Sequence, residues 1–200
     1  GNIAYVADNT GLQVIDVSDP ALPSIFGAVD TPNLAVSVTV AGDIAYVADL
    51  YSGVQVIDVS DPATPVIIGS VPLPAHSFAY DVAVAVVIAY VAFWDWGDGE
   101  SGILVIDVSD PTQPVIIGSV DTPGVAQGVT AIGDIAYVAD GSRGLQMIDV
   151  SDPTQPVIIG SVTTPGSALG ITLIGDIAYV DAVGMGLFFF PTPTVTPSLS

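Results

Sequence analysis

The fold is decided by residues 133–162, which read GDIAYVADGSRGLQMIDVSDPTQPVIIGSV. Close variants of this stretch recur along the chain with a period of about 42 residues, as in repeat architectures. One Tyr and one Asp mark the successive copies, at Tyr5, Tyr46, Tyr90, Tyr137 and Tyr179, and at Asp16, Asp58, Asp107 and Asp149. The chain therefore contains five starts and four complete copies of one structural unit.

Four short strand-like segments, separated by Gly, Pro and Asp, make up one copy. In the copy at residues 124–163 we predict these strands, A to D, at 125–132, 135–139, 145–150 and 157–162. Between strands A and B, Gly133-Asp134 suits a two-residue hairpin turn that needs a positive φ. One copy therefore predicts one antiparallel four-stranded sheet.

Residues 135–139 and 157–159 are apolar on both faces of their strands, which indicates a sheet that is covered on both sides. A ring of sheets packed face to face gives each sheet two neighbours, and this arrangement is a β-propeller. A β-solenoid has shorter coils, so four strands per period disfavour it. We predict an all-β propeller of about five blades over residues 1–190, with the first and last blades incomplete.

The composition is strongly acidic: Asp and Glu together number 21 against one Lys or Arg, for a formal net charge of −20. Such a surface repels nucleic-acid phosphates and anionic lipids, so we expect no nucleic-acid partner. No apolar run approaches the roughly 18 residues of a membrane helix, so we expect no membrane insertion. Most Asp residues fall at repeated turn positions, which favours turn chemistry over metal ligation.

The third segment of each copy reads LQVID at 12–16, VQVID at 54–58, ILVID at 103–107 and LQMID at 145–149, each followed by V-S-D-P. These segments resemble the LVIVD repeat family, which is similar to the YVTN-type surface-layer propellers. The resemblance covers nearly the whole chain up to about Phe190. It implies a propeller and an extracellular or cell-surface location, and it carries no catalytic residues to transfer.

Two connections of the third copy are enlarged. The spacing from Tyr90 to Asp107 indicates an insertion of about five residues in the loop between strands B and C, within 93–102. The preceding connection from strand D to strand A, residues 72–80, is about two residues longer than in other copies. Because both kinds of loop emerge on the same rim of a propeller, we expect them to be neighbours.

The rarest residue types collect on this rim. The candidate ligand-binding residues are Tyr51, His76, Trp94, Asp95, Trp96, Asp98, Glu100 and Arg143. Aromatic rings can stack on sugar rings, and neighbouring carboxylates and a guanidinium can form hydrogen bonds with the sugar hydroxyls. This combination favours a glycan or a protein partner. One alternative is a solvated loop whose tryptophans cap the core. Another is a calcium site at Asp95, Asp98 and Glu100, although the later ligands of a calcium loop are missing.

Catalytic constellations are lacking. His76 is the sole His, and no Cys is present to complete a transition-metal site with it. The Ser residues of V-S-D-P and the carboxylates of Asp16 and Asp19 recur as turn formers. We therefore predict a protein that is not an enzyme and has no cofactor except a candidate calcium ion. A glycan-active enzyme that uses loop 94–100 is a weaker alternative.

The two ends of the chain depart from the repeat. The first copy starts at its A–B turn and so leaves the strand at Ile3–Ala7 without a strand A, whereas residues 186–190 replace strand C of the last copy. Residues 191–200 form a Pro/Thr/Ser tail, which fits a linker with O-glycosylation candidates at Thr192, Thr194, Thr196 and Ser198. The tail also fits a donated strand that completes the first blade of its own or another molecule.

From these features we predict an extracellular or cell-surface module with a structural or adhesive role that self-associates into homo-oligomers or fibres. A carbohydrate-binding propeller that uses loop 94–100 is the alternative.

Overall fold

The computed structural model describes residues 2–175 and 177–191, and this part of the chain contains strands and no helix. Blade 1 comprises β1 (Ile3–Ala7), β2 (Asn9–Asp16) and β3 (Ser24–Ala35). Blade 2 comprises β4 (Ser37–Ala41), β5 (Ile44–Ala48), β6 (Val54–Asp58) and β7 (Val66–Val71). Blade 3 comprises β8 (Ser77–Ala85), β9 (Ile88–Asp95), β10 (Ser101–Asp107) and β11 (Val115–Asp121). Blade 4 comprises β12 (Gly128–Ile132), β13 (Ile135–Ala139), β14 (Leu145–Asp149) and β15 (Val157–Val162), and blade 5 comprises β16 (Ala168–Ile174), β17 (Ile177–Ala182) and β18 (Gly186–Pro191).

In every blade the strands are antiparallel and follow one another in chain order. The first strands of blades 2 to 5, which are β4, β8, β12 and β16, lie beside one another. The protein is therefore an all-β propeller, and the described parts of its first and last blades have three strands each, as predicted. No helix in the described residues could cross a lipid bilayer.

The predicted strands of the fourth copy are mostly confirmed. Ile132 pairs with Ile135 across a turn in which Gly133 has a φ of 57°, and strands B and D have the predicted bounds. Strand A is shorter than predicted and begins at Gly128, because the N–H of Ala126 donates to Ser101 Oγ of blade 3. Strand C ends at Asp149, one residue earlier than predicted, because the N–H of Val150 donates to Asp134 O.

The core lies between blades. One apolar cluster occupies each of the four boundaries, and between blades 2 and 3 it joins Tyr46 and Val56 to Val91 and Ile106. Because an interior blade contributes to two clusters, all of β13 is buried, as the apolar sequence predicts. Strand β1, by contrast, is only partly buried.

A second contact joins the outer parts of adjacent blades. The last strands of blades 1 to 3 carry Gly27, Gly69 and Gly118, and a Cβ at any of them would overlap a prolyl carbonyl oxygen of the next blade, at Pro62, Pro111 and Pro153. These prolines belong to the turn between strands C and D. A glycine is required because the turn approaches the strand backbone closely. We call this contact the blade joint.

Candidate functional site

The two enlarged loops of blade 3 are neighbours, as predicted. The N–H of Trp96 donates to His76 O at 3.3 Å, and the two rings meet edge to face with centroids 4.9 Å apart. His76 has a φ of 71°, so this connection turns in the left-handed region beside the insertion. Trp96 is nevertheless 55% exposed and is available to a partner.

Tyr51 and Trp94 lie on either side of an aromatic ring that the sequence analysis did not select. Phe78 meets Tyr51 edge to face at 4.4 Å and stacks on Trp94 at 5.7 Å. The loop of Tyr51 is held there because the N–H of Ala79 donates to Leu50 O. Tyr51 is 61% exposed, so the cluster presents an aromatic surface.

Tyr80 extends the cluster, with its ring centroid 6.2 Å from that of Phe78. A signal for Phe78 existed in the sequence, because the other copies have Leu34, Val125 and Ser167 at the equivalent position. We call Tyr51, Phe78, Tyr80, Trp94 and the His76–Trp96 pair the aromatic rim. Trp94 is half-buried, as the core-capping alternative expects, whereas Trp96 is exposed, as the glycan prediction expects.

The acidic residues of the insertion do not act alike. The Asp95 carboxylate is nearly buried and accepts hydrogen bonds from Gly97 N at 2.7 Å and Ser77 Oγ at 3.3 Å. The bond from Gly97 holds the pKa of Asp95 below its ordinary value. Asp98 and Glu100 are exposed.

No group of three His, Cys, Asp or Glu side chains in residues 2–175 and 177–191 is arranged to hold a metal ion. Calcium binding at Asp95, Asp98 and Glu100 therefore stays a prediction. The candidate O-glycosylation residues Thr192, Thr194, Thr196 and Ser198 lie outside the described residues.

Arg143 occupies the corresponding loop of blade 4. Its N–H donates to Asp140 O at 3.0 Å, and its charge opposes the rise that burial causes in the pKa of Asp140. The backbone of Arg143 therefore binds the main chain of Asp140, and its charge acts on the carboxylate of the same residue.

Two repeated carboxylates join blades, which the sequence analysis missed when it treated repeated Asp residues as turn formers. Asp140 is fully buried and accepts Thr122 Oγ1 at 2.6 Å and Gly124 N at 3.0 Å. In blade 2, Asp49 binds the equivalent residues of blade 1, Thr31 and Asn33. Turn chemistry is confirmed for the Asp that directly precedes V-S-D-P. Four of these carboxylates accept a hydrogen bond from the Ser N–H two residues on, at Asp16, Asp58, Asp107 and Asp149.

A half-buried carboxylate lies at the inner edge of blade 3, on β8. Asp81 accepts hydrogen bonds from Ser37 Oγ of β4 and from Val129 N of β12, so one side chain connects three blades. Burial raises its pKa. The other copies have Ser37, Gly128 and Gly170 at this position, which makes Asp81 a departure from the repeat.

Comparison with known families gives one match, described as "LVIVD repeat", at residues 1–31, 34–72, 78–122 and 123–164. No curated protein matches the chain. Among solved structures, the computationally designed Ika8 protein is similar with a TM-score of 0.72 and 8% identity. That similarity covers 98% of this chain but only 57% of the Ika8 chain. The designed Ika4 protein has a TM-score of 0.62 and 10% identity, with 82% of this chain and 94% of its own covered. Identities this low show similarity of fold alone.

Proposed function

The chain belongs to the LVIVD repeat family, and on this premise we propose that it is a non-enzymatic structural or adhesive module of the cell surface that assembles end to end with copies of itself. The surface location is what the resemblance to surface-layer propellers implies. The observation that supports assembly is that the two outer faces of the described propeller are apolar and exposed.

The front face comprises Val6, Ile15 and Ile25 on the side of blade 1 that faces away from blade 2. Val6 is 40% exposed, whereas the equivalent Val47 of blade 2 is fully buried against blade 1. Ile25 is 69% exposed, whereas the equivalent Ile67 packs in the same cluster as Val47. The front face is therefore a blade interface without a preceding blade in the described structure.

The back face comprises Tyr179, Leu187 and Phe189 on blade 5. Phe189 is 61% exposed and meets Tyr179 edge to face at 5.0 Å. The equivalent residues of blade 2, Tyr46 and Val56, pack against blade 3. Because both end faces are exposed, they do not cover each other within one described molecule.

A second copy fits these faces because the interior boundaries already pair the same positions. Tyr46 and Val56 meet Val91 and Ile106 there, as Tyr179 and Phe189 of one copy would meet Val6 and Ile15 of the next. Such a contact is heterologous, so it builds open chains or closed rings. Exposed apolar faces of this kind mark interaction sites.

Light scattering on the purified full chain tests the assembly. We expect masses of several copies that increase with concentration, and monomers for Ile25→Asp and for Phe189→Asp. A mixture of these two variants retains one intact face of each kind, so it should form dimers and nothing longer. Val115→Asp is the matched control, because Val115 is also exposed but lies on an interior blade. A monodisperse monomer of the unchanged chain would contradict the proposal.

Carbohydrate binding is a second candidate, favoured by the aromatic rim. Tyr51 and Trp96 are exposed on one rim and are positioned by ring contacts with Phe78 and His76, as in a sugar-stacking surface. A glycan array should show binding that Trp96→Ala removes and Phe26→Ala, an exposed aromatic on blade 1, retains. The weaker enzyme alternative requires turnover of a bound glycan that Asp98→Ala abolishes.

A further inference from the structure

The insertion of blade 3 ends in a tight tip that places a tryptophan beside two carboxylates. The N–H of Asp95 donates to Glu100 O at 2.7 Å, so residues 96–99 form a four-residue loop between β9 and β10. Trp96, Asp98 and Glu100 are therefore confined to one tip, and all three are exposed.

Hydrogen bonds fix the start of this tip and occupy its third carboxylate. The N–H of Trp96 donates to His76 O at 3.3 Å, which holds the tryptophan against the neighbouring connection. The nearly buried Asp95 carboxylate already accepts bonds from Gly97 N and Ser77 Oγ. The carboxylates that remain open to a ligand on the tip are those of Asp98 and Glu100, and an ionised carboxylate accepts hydrogen bonds and donates none.

The chain supplies no cation of its own to this tip. Residues 72–80 and 93–102, which form the two enlarged loops, contain neither lysine nor arginine. Arg143 is the one Lys or Arg of the sequence, and its charge acts on Asp140 of blade 4. Since the formal net charge of −20 attracts cations from solution, a positively charged ligand complements the tip better than a neutral one.

We propose that this tip binds an arginine side chain of a partner protein, with the guanidinium plane on the Trp96 ring and its N–H groups directed to Asp98 and Glu100. Trp attracts cations more strongly than the other aromatic residues, and arginine makes such contacts more often than lysine. The guanidinium is planar and carries five donors in a fixed fork, so it can stack on a ring and bond carboxylates at the same time.

The rest of the aromatic rim provides room for the segment that carries the arginine. Phe78 stacks on Trp94 at 5.7 Å and meets Tyr51 edge to face at 4.4 Å, so the aromatic surface continues from the insertion to the loop of blade 2. Tyr51 is 61% exposed and can contact residues that neighbour the arginine. The surface therefore fits a peptide segment better than a single free amino acid.

The test measures the binding of fluorescein-labelled Gly/Ser peptides that carry arginine, lysine or citrulline at the same positions. Fluorescence anisotropy at physiological ionic strength, where the Debye length is about 8 Å, keeps long-range attraction small. Lysine has the charge of arginine without its planar fork, and citrulline has a similar shape without the charge. We expect the arginine peptide to bind about fivefold more tightly than the lysine peptide, and the citrulline peptide to bind most weakly. Equal affinity for the arginine and lysine peptides would overturn the proposal, because net charge alone would then explain the binding.

Variants locate the binding on the protein. Trp96→Leu keeps an apolar side chain without a ring and should weaken binding of the arginine peptide about fivefold. Asp98→Asn and Glu100→Gln should each weaken it about two- to fivefold. Matched controls are Phe26→Leu, an exposed aromatic on blade 1, and Asp134→Asn, an exposed acid in a turn of blade 4, and both should bind as the unchanged protein does. Equal binding by Trp96→Leu and the unchanged protein would overturn the proposal.

Competition separates this ligand from the carbohydrate candidate for the same rim. Cellohexaose, a neutral oligosaccharide, should leave the labelled arginine peptide bound. Displacement by cellohexaose would assign the rim to carbohydrate and overturn the proposal, as would a failure of the arginine peptide to bind. All measurements are made in the Ile25→Asp background, which is expected to be monomeric, so the result does not depend on whether the chain assembles end to end.

Discussion

The carboxylate that follows strand B has different partners in different blades. Asp140 is buried and accepts hydrogen bonds from Thr122 and Gly124 of the preceding connection, whereas Asp8 is exposed and accepts hydrogen bonds from Thr10 and Gly11 of its own turn. Asp140→Ala would remove the acceptor of the short bond from the buried Thr122 hydroxyl and the acceptor of the half-buried Gly124 N–H, so we expect a loss of about 2 kcal/mol in the free energy of unfolding. Asp8→Ala is the matched control and should lower the free energy of unfolding much less. Urea denaturation measures both, and equal losses would show that the contact between blades contributes nothing.

Buried and exposed carboxylates should make stability depend on pH in opposite directions. Burial raises the pKa of Asp81, so its contribution is fully present below the ordinary value of 3.8 and is lost as the pH rises through the raised value. Bonds from Ser side chains and N–H groups lower the pKa of Asp58 and Asp149, so their contribution is lost as the pH falls below 3.8. The melting temperature should therefore rise as the pH falls from neutral toward the raised pKa of Asp81 and should decline in stronger acid.

Asp81→Asn isolates this dependence. The variant has no ionisable group at the position that connects blades 2, 3 and 4. Its melting temperature should therefore rise less than that of the unchanged protein between neutral pH and about pH 4. Asp49 and Asp140 also have raised pKa values, which is why the rise should become shallower and not vanish. Identical slopes for the two proteins would contradict the assignment to Asp81.

For the strands and their connections, the repeat of the sequence predicted the features that depend on residues close together along the chain. The Gly133 turn and the bounds of β13 and β15 depend on neighbouring residues, so one copy of the repeat was enough to predict them. The adjacency of His76 and Trp96 followed from loop lengths and the geometry of a propeller. Phe78 was missed because strand A was compared for length and not for side-chain type.

The apolar packing between blades was predicted, but the polar and close backbone contacts between them were not. The bond from Thr122 to Asp140 and the approach of Pro153 to Gly118 join segments that are adjacent only once the blades have packed. In the sequence, Asp, Gly and Pro at these positions have an equally good local explanation as turn residues. Only the packed structure distinguishes the Asp that forms a turn from the Asp that connects two blades.

The blade joint gives a prediction at the same scale. Gly69→Ala would place a methyl group against the carbonyl oxygen of Pro111, which is backbone and cannot move freely. We expect a destabilisation of about 1–3 kcal/mol, because the two blades must shift apart. Ser70→Ala, the neighbouring exposed position on β7, should change the free energy of unfolding by much less. Thermal or urea unfolding measures the stability of both variants. If Gly69→Ala left the free energy of unfolding unchanged, the close contact at this joint would not contribute to stability.

At the scale of the whole molecule, charge opposes the packing of the blades. A formal net charge of −20 on 200 residues makes the compact state repel itself at low ionic strength. Since the Debye length falls from about 30 Å at 0.01 M to about 8 Å at 0.15 M salt, sodium chloride should raise the melting temperature over that range. The effect should be seen in urea as well as on heating, but not in guanidinium chloride, which is itself a salt.

A comparison of calcium with a chelator distinguishes general screening of the acidic charges from calcium binding at a specific site. At matched ionic strength, millimolar calcium and a chelator should give the same melting temperature if the carboxylates are only screened. An additional rise with calcium that Asp98→Ala removes would establish ligation in the insertion of blade 3, where Asp95 already has its carboxylate held by Gly97. Asp134→Ala is the matched control, because Asp134 is an exposed acid in a turn of blade 4, away from that insertion. If both variants retained the calcium-dependent rise in melting temperature, the effect would belong to the acidic surface as a whole.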